Sequence, residues 1–204
     1  MPNGKNINQI TAIDVALRFM EILSKVEFPD DRFYTASHTW IKPEPNLITV
    51  GLSSSIIYLF APIIEFIFLA PPSSVKQNTP CAWAIYRDGI LRIRSPIQGE
   101  LFEINKTLIE HPDIANKDPY NTGWLFKIKT TEKIAGLLTY SEFLEYYNSK
   151  IKEFKNEILS TITESFDQVS IPTLQDGGRV IETIKDLLGA KRYFSIINKV
   201  FKIC

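Results

Sequence analysis

From Cys81 to Pro96 apolar and polar side chains alternate on both sides of an Asp88-Gly89 pair, which commits this stretch to a β-hairpin. Asp-Gly between two such runs favours a two-residue type I′ turn, because glycine accepts positive φ without a Cβ clash and aspartate tolerates it. With Asp88 and Gly89 as the loop, Arg87 is expected opposite Ile90, Ile85 opposite Arg92 and Trp83 opposite Arg94. Ala82, Ala84, Tyr86, Leu91 and Ile93 fall on the other face and, being more uniformly apolar, make the core side. Trp83, Arg87, Arg92 and Arg94 then point outward, where a guanidinium over the indole forms a cation–π pair. Such a face is either a solvated surface with packed arginine stems or a docking patch for an acidic partner.

Further strands are expected at 35–41, 47–51, 63–69, 99–104 and 124–130, separated by proline, glycine and asparagine. Helical periodicity brackets them. Ile10, Ile13, Leu17, Met20 and Leu23 mark a helix before Pro29. Thr139 and Glu142 form a capping box for a long amphipathic helix striped by Leu144, Tyr147, Ile151, Phe154, Ile158 and Ile162. Pro172 and Asp176-Gly-Gly178 break it; a helix around Val180 to Leu188 ends at Gly189, and a last amphipathic segment runs from Lys191 to Lys202.

The run from Ile56 to Ala70 is apolar, but it is shorter than the roughly twenty residues of a membrane span and is broken by Pro62 and Glu65. Ile57, Tyr58, Phe60, Phe66 and Phe68 are too many for a small β-domain to hide easily. They are expected either beneath the chain's own helices or in contact with a protein partner or a second copy, with Ile57, Tyr58 and Phe60 on that interaction surface.

The 204 residues suit one domain with extensions, and 23 basic against 23 acidic residues leave no basicity that would point to nucleic acid. The N-terminal stretch lacks the apolar run of a secretory signal and the two cysteines lie far apart, so a reducing cytoplasm is expected, without membrane contact. With His38 and His111 as the only histidines, no zinc spacing arises, and no phosphate-binding glycine motif is present. No nucleophile is paired with a base, so neither catalytic residues nor an enzyme is expected.

Several motifs in order carry a resemblance: Tyr34-Thr-Ala-Ser-His38-Thr-Trp40, Thr49-Val-Gly51, Ser95-Pro96-Ile-Gln-Gly99-Glu100 with Asn105, and above all Asn116-Lys-Asp118-Pro119-Tyr120-Asn-Thr-Gly123-Trp124-Leu-Phe-Lys-Ile128. Over residues 33–147 the chain resembles the H protein of the glycine cleavage system, a lipoyl carrier. The resemblance implies a mainly β fold with helical extensions: a flattened β-barrel or hammerhead sandwich of the lipoyl-domain type over 33–147, an N-terminal helical extension over 1–32 and a C-terminal one over 148–204. It also implies that His38 is a packed, hydrogen-bonding residue.

The family's attachment lysine lies eight positions before the proline of its A-P motif, and counting back from Pro96 without a gap reaches Asp88. Ser74-Val75-Lys76 copies the letters around that lysine but precedes the hairpin. Lipoate attachment needs an amine to attack an activated acyl group; a carboxylate on a one-carbon stem offers neither the amide nor the reach. The resemblance, with this departure, implies a non-catalytic H-like protein without lipoate, serving protein interaction or regulation. The alternative is a component of glycine decarboxylation or lipoyl metabolism that docks to partner enzymes.

Overall fold

The computed structural model describes residues 4–60, 62–131, 135–168 and 183–203, with side chains for 12–60, 62–131, 135–164 and 183–203. Its contacts divide the chain into two compact units, Val26–Tyr146 with Ile203–Cys204, and Met1–Lys25 with Tyr147–Lys202.

The β-unit is a sandwich of two open antiparallel sheets, not a closed barrel. In chain order its strands are β1 (Phe33–Tyr34), β2 (Thr39–Glu44), β3 (Leu47–Leu52), β4 (Ile63–Phe68), β5 (Ser73–Val75), β6 (Pro80–Tyr86), β7 (Gly89–Arg94), β8 (Gly99–Ile104) and β9 (Trp124–Lys129). One sheet has the order β1-β2-β3-β9-β8-β5 and the other β4-β6-β7. Strand alternation supplies the filling. Ile41, Val50 and Phe126 form one buried row across the larger sheet, and Ile48, Ile128 and Leu101 another. Phe66, Ala82, Ala84, Leu91 and Ile93 are buried on the smaller one.

The structure alters one expected strand and adds several short elements. The strand expected over 35–41 is interrupted: Thr35 to His38 turn back, with the Thr39 amide donating to Thr35 Oγ1 at 3.2 Å and His38 at φ 62°. Ala36 and Ser37 are weak strand formers, and the bond from the backbone to the Thr35 hydroxyl favours the turn over the ladder. Residues Ser54–Phe60 form a helix, α2, and Thr107–Glu110 and Ile114–Lys117 two single helical turns, α3 and α4. β5, three residues long, is too short for periodicity to reveal.

The apolar stretch is largely interior. Ile56, Ile57, Leu59, Phe60, Ile63 and Phe66 are all buried, and the Phe60 ring meets Tyr86 edge-on at 5.0 Å. Helical spacing sends Ile57 and Phe60 inward together, whereas Tyr58, one residue on, is 51% exposed. Ile57 and Phe60 therefore line the core instead of the interaction surface expected of them.

The helical unit contains α1 (Gly4–Ser24), the greater part of α5 (Tyr140–Gln168), α6 (Ile184–Leu188) and α7 (Ala190–Phe201). On α1 the buried stripe is Ala12, Ala16, Met20 and Leu23; Leu17, expected inside, is 40% exposed. α1 is apolar around much of its girth, and the small alanines allow the closer approach. The capping box of α5 is made: the Thr139 amide donates to Glu142 Oε2 at 2.8 Å, and this bond holds the carboxyl below its usual range. Tyr147, Ile151, Phe154, Ile158 and Ile162 are buried as the stripe predicts, but Phe143, not Leu144, begins it, stacked on Tyr34 at 4.3 Å. Phe154 packs against Tyr193 and Phe201 of α7, and Lys199 pairs with Glu157 at 2.8 Å. Thr183 caps α6 by accepting from the Asp186 amide, and Gly189 at φ 76° ends it. Pro172, Asp176 to Gly178 and Val180 lie outside the described residues. No described helix is long and apolar enough to cross a membrane.

Candidate functional site

The β6–β7 hairpin is closed by a tight turn. Tyr86 pairs with Gly89, Ile85 with Ile90, Ala84 with Leu91, Trp83 with Arg92 and Ala82 with Ile93. The two-residue loop is thus Arg87-Asp88, one residue earlier than Asp88-Gly89, and no residue in it has positive φ, which rules out type I′. Glycine at 89 answers a different need: a Cβ there would lie 2.7 Å from the Tyr86 hydroxyl, because that ring lies over the glycine across the strand pair. The shift preserves which residues face inward, since it moves the pairing by whole side-chain periods. It does change the neighbours, so that Arg92, not Arg94, stands beside Trp83.

Arg87 and Asp88 are exposed at the apex, as are Ile90, Arg92 and Arg94 along β7, with Trp83 and Ile85 half-buried. Arg94 Nη1 donates to the Asn78 carbonyl at 3.0 Å. The cation–π contacts recorded among the described residues belong to Arg32, Lys127 and Lys129 and not to Trp83. Lys76 is exposed in the turn between β5 and β6, where its amide donates to Thr79 Oγ1 at 3.1 Å. It therefore lies at the opposite end of β6 from the apex, and seven strand residues span roughly 20 Å.

A second constellation gathers the longest motif. The guanidinium of Arg32, its side chain 4% exposed, lies 4.7 Å from the Trp40 ring centre and 5.4 Å from that of Tyr120. It donates from Nη1 to the Tyr120 carbonyl at 3.0 Å and from Nε to Asp31 at 2.7 Å, a bond that lowers the Asp31 pKa. Trp40 Nε1 donates to the Pro119 carbonyl at 3.0 Å, and its indole occupies the space a Cβ on Gly51 would need. The Tyr120 hydroxyl accepts from the Ser54 amide at 3.1 Å. Asp118 accepts from the amide and hydroxyl of Thr122 and from Asn121, which holds its carboxyl low. Asn105 donates to the carbonyls of Thr122 and Trp124. The motif is thus a framework, clamping the 116–124 loop to β2 and α2. Arg32 is its central cation, and only its place just before the Tyr34 motif hinted at that. A cleft of about 400 Å³ lies beside it, lined by Ser54, Ile57, Tyr58 and residues 116–120.

Among the described residues no cluster of histidine, cysteine, aspartate and glutamate could hold a metal ion. His38 is fully buried, with Nδ1 3.0 Å from Ser55 Oγ and its ring edge-on to Phe143, and burial pushes its pKa down to about 3. A base whose pKa falls on folding is protonated first in the unfolded chain. Its contribution to stability is complete above the unfolded value near 6.5 and is lost as pH falls toward 3, by up to ~1.4 kcal/mol per pH unit. His38→Asn, which suits the left-handed backbone, is expected to flatten the dependence of urea-unfolding stability on pH between about 6.5 and 4. Equal slopes in the two proteins would clear His38 of that role.

The glycine cleavage H-protein family matches residues 32–150. The glycine cleavage system H protein of Thermobifida fusca is 27% identical over 120 residues, 57% of this chain and 93% of that protein. That of Alteromonas mediterranea is 33% identical over 131 residues, 61% and 96%. Among solved structures, a glycine cleavage system H protein from Mycobacterium marinum superposes with a TM-score of 0.53 at 26% identity, covering 60% of this chain and 98% of its own. With this match over more than half its length, the chain belongs to the glycine cleavage H-protein family.

Proposed function

We propose that this protein is an H-like module that carries no lipoate and works by binding another protein, in a reducing cytoplasm, without catalysing a reaction. The observation that carries this reading is Asp88 at the exposed apex of the β6–β7 hairpin. Lipoate does not fit there, because a carboxylate cannot form the amide that tethers it. Lys76, the residue with the matching letters around it, is a strand's length away. The interaction surface would be the outer face with Trp83, Arg87, Arg92 and Arg94, with exposed Tyr58 at the cleft beside residues 116–120 as a further contact. H-like residues 33–147 would supply this module, with 1–32 and 148–204 as helical extensions.

Coexpression with a lipoate–protein ligase and lipoate is expected to leave the intact mass unchanged. A gain of one lipoyl mass would restore an ordinary carrier. A second reading is favoured by the intact framework around Trp40 and Tyr120: the protein docks on the glycine decarboxylase or a lipoyl-handling enzyme and occupies it without reacting. Binding to the purified decarboxylase, measured directly, separates the two.

A further inference from the structure

The outer face of the three-stranded sheet has a self-complementary pattern. Pairing registers set two rows across it, Ile67–Trp83–Arg92 and Glu65–Ile85–Ile90. Ile67 is 47% and Ile90 52% exposed; Glu65 and Arg92 are exposed, and Trp83 and Ile85 half-buried between them. Glu65 on edge strand β4 and Arg92 on edge strand β7 thus occupy opposite corners, and Ile67 and Ile90 the other two, around an apolar centre.

A two-fold axis lying in the face along the Ile67–Ile90 diagonal exchanges the charged corners. When a second copy is laid on the face about that axis, each Glu65 meets the other copy's Arg92, and each isoleucine corner meets its own counterpart. This is what an isologous interface requires. The two sheets then cross at a steep angle, as in orthogonal sheet packing. Arg87 lies beyond the rows at the turn, and Arg94 is tied to the Asn78 carbonyl at the far end of the strand.

We propose that this face docks a second copy of the chain, forming a two-fold dimer through reciprocal Glu65–Arg92 pairs around Trp83 and Ile85. The inference names a partner for the interaction role proposed above and rests on that reading, though its geometry does not involve residue 88. Three strands about 4.8 Å apart and some 20 Å long cover roughly 15 by 20 Å, small against the ~800 Å² per partner of a standard interface. The dimer is accordingly weak, reversible and salt-sensitive, with a dissociation constant between about 10 µM and 1 mM.

Sedimentation equilibrium of the full chain at low salt tests it. The wild type is expected to dimerise in that range. Glu65→Arg and Arg92→Glu should each weaken the dimer at least ~10-fold, since each juxtaposes like charges twice, and the double charge swap should restore it to within about threefold. Circular dichroism of each variant checks that the fold is kept. A monomer throughout, single reversals without effect, or a double swap that fails to recover would each overturn the proposal. Lipoylation, read by mass, fails or holds independently of these outcomes.

Discussion

Trp40→Ala is expected to cost the β-unit about 4–6 kcal/mol, a large share of the roughly 5–15 kcal/mol by which a domain is ordinarily stable. The indole is 1% exposed and fills the space that Gly51 leaves open, so truncation opens a cavity large enough to account for about 3–5 kcal/mol alone. The change also removes the donor to the Pro119 carbonyl, at about 1 kcal/mol, and strips one aromatic face from the buried Arg32 guanidinium. Trp40→Phe keeps most of the packing and loses the hydrogen bond; a loss of about 1–2 kcal/mol is expected. Urea unfolding of the two variants checks both the size and the order. A loss below about 2 kcal/mol for the alanine variant would show that the 116–124 loop is held without this residue.

Asp88→Lys is expected to turn an unmodified protein into one that gains a single lipoyl group when coexpressed with lipoate–protein ligase. The site is an exposed two-residue loop on a regular hairpin, so the substitution supplies an amine on a long stem without disturbing a buried contact. Stability should change by no more than about 0.5 kcal/mol. Lys76→Arg combined with Asp88→Lys should be modified equally, and Lys76→Arg alone should remain unmodified. If Asp88→Lys stays unmodified while folded, the surface around the apex, with Arg87 beside it, has diverged from what the ligase reads.

The family and most strands were legible because they rest on long alternating runs and on motif residues whose spacing a framework enforces. The inward set Ala82, Ala84, Tyr86, Leu91 and Ile93 came out right because side-chain period survives a change of register. The loop itself did not, because Asp-Gly signals a turn type, whereas the Tyr86 ring over Gly89 is a contact across strands. Ile57 and Phe60 are not legible as core because their stretch is so uniformly apolar that it shows no period, and a seven-residue helix sorts it into inside and outside only once formed. Beyond its place just before the Tyr34 motif, nothing in a lone arginine announces that two aromatic rings will enclose Arg32.

The six-stranded sheet stops at a two-residue strand on one side and a three-residue strand on the other. Stubs of that length expose too few amides and carbonyls to template another chain's backbone. That sheet is therefore poorly suited to polymerise edge to edge, whereas the six-residue edge strands of its smaller companion offer longer rims.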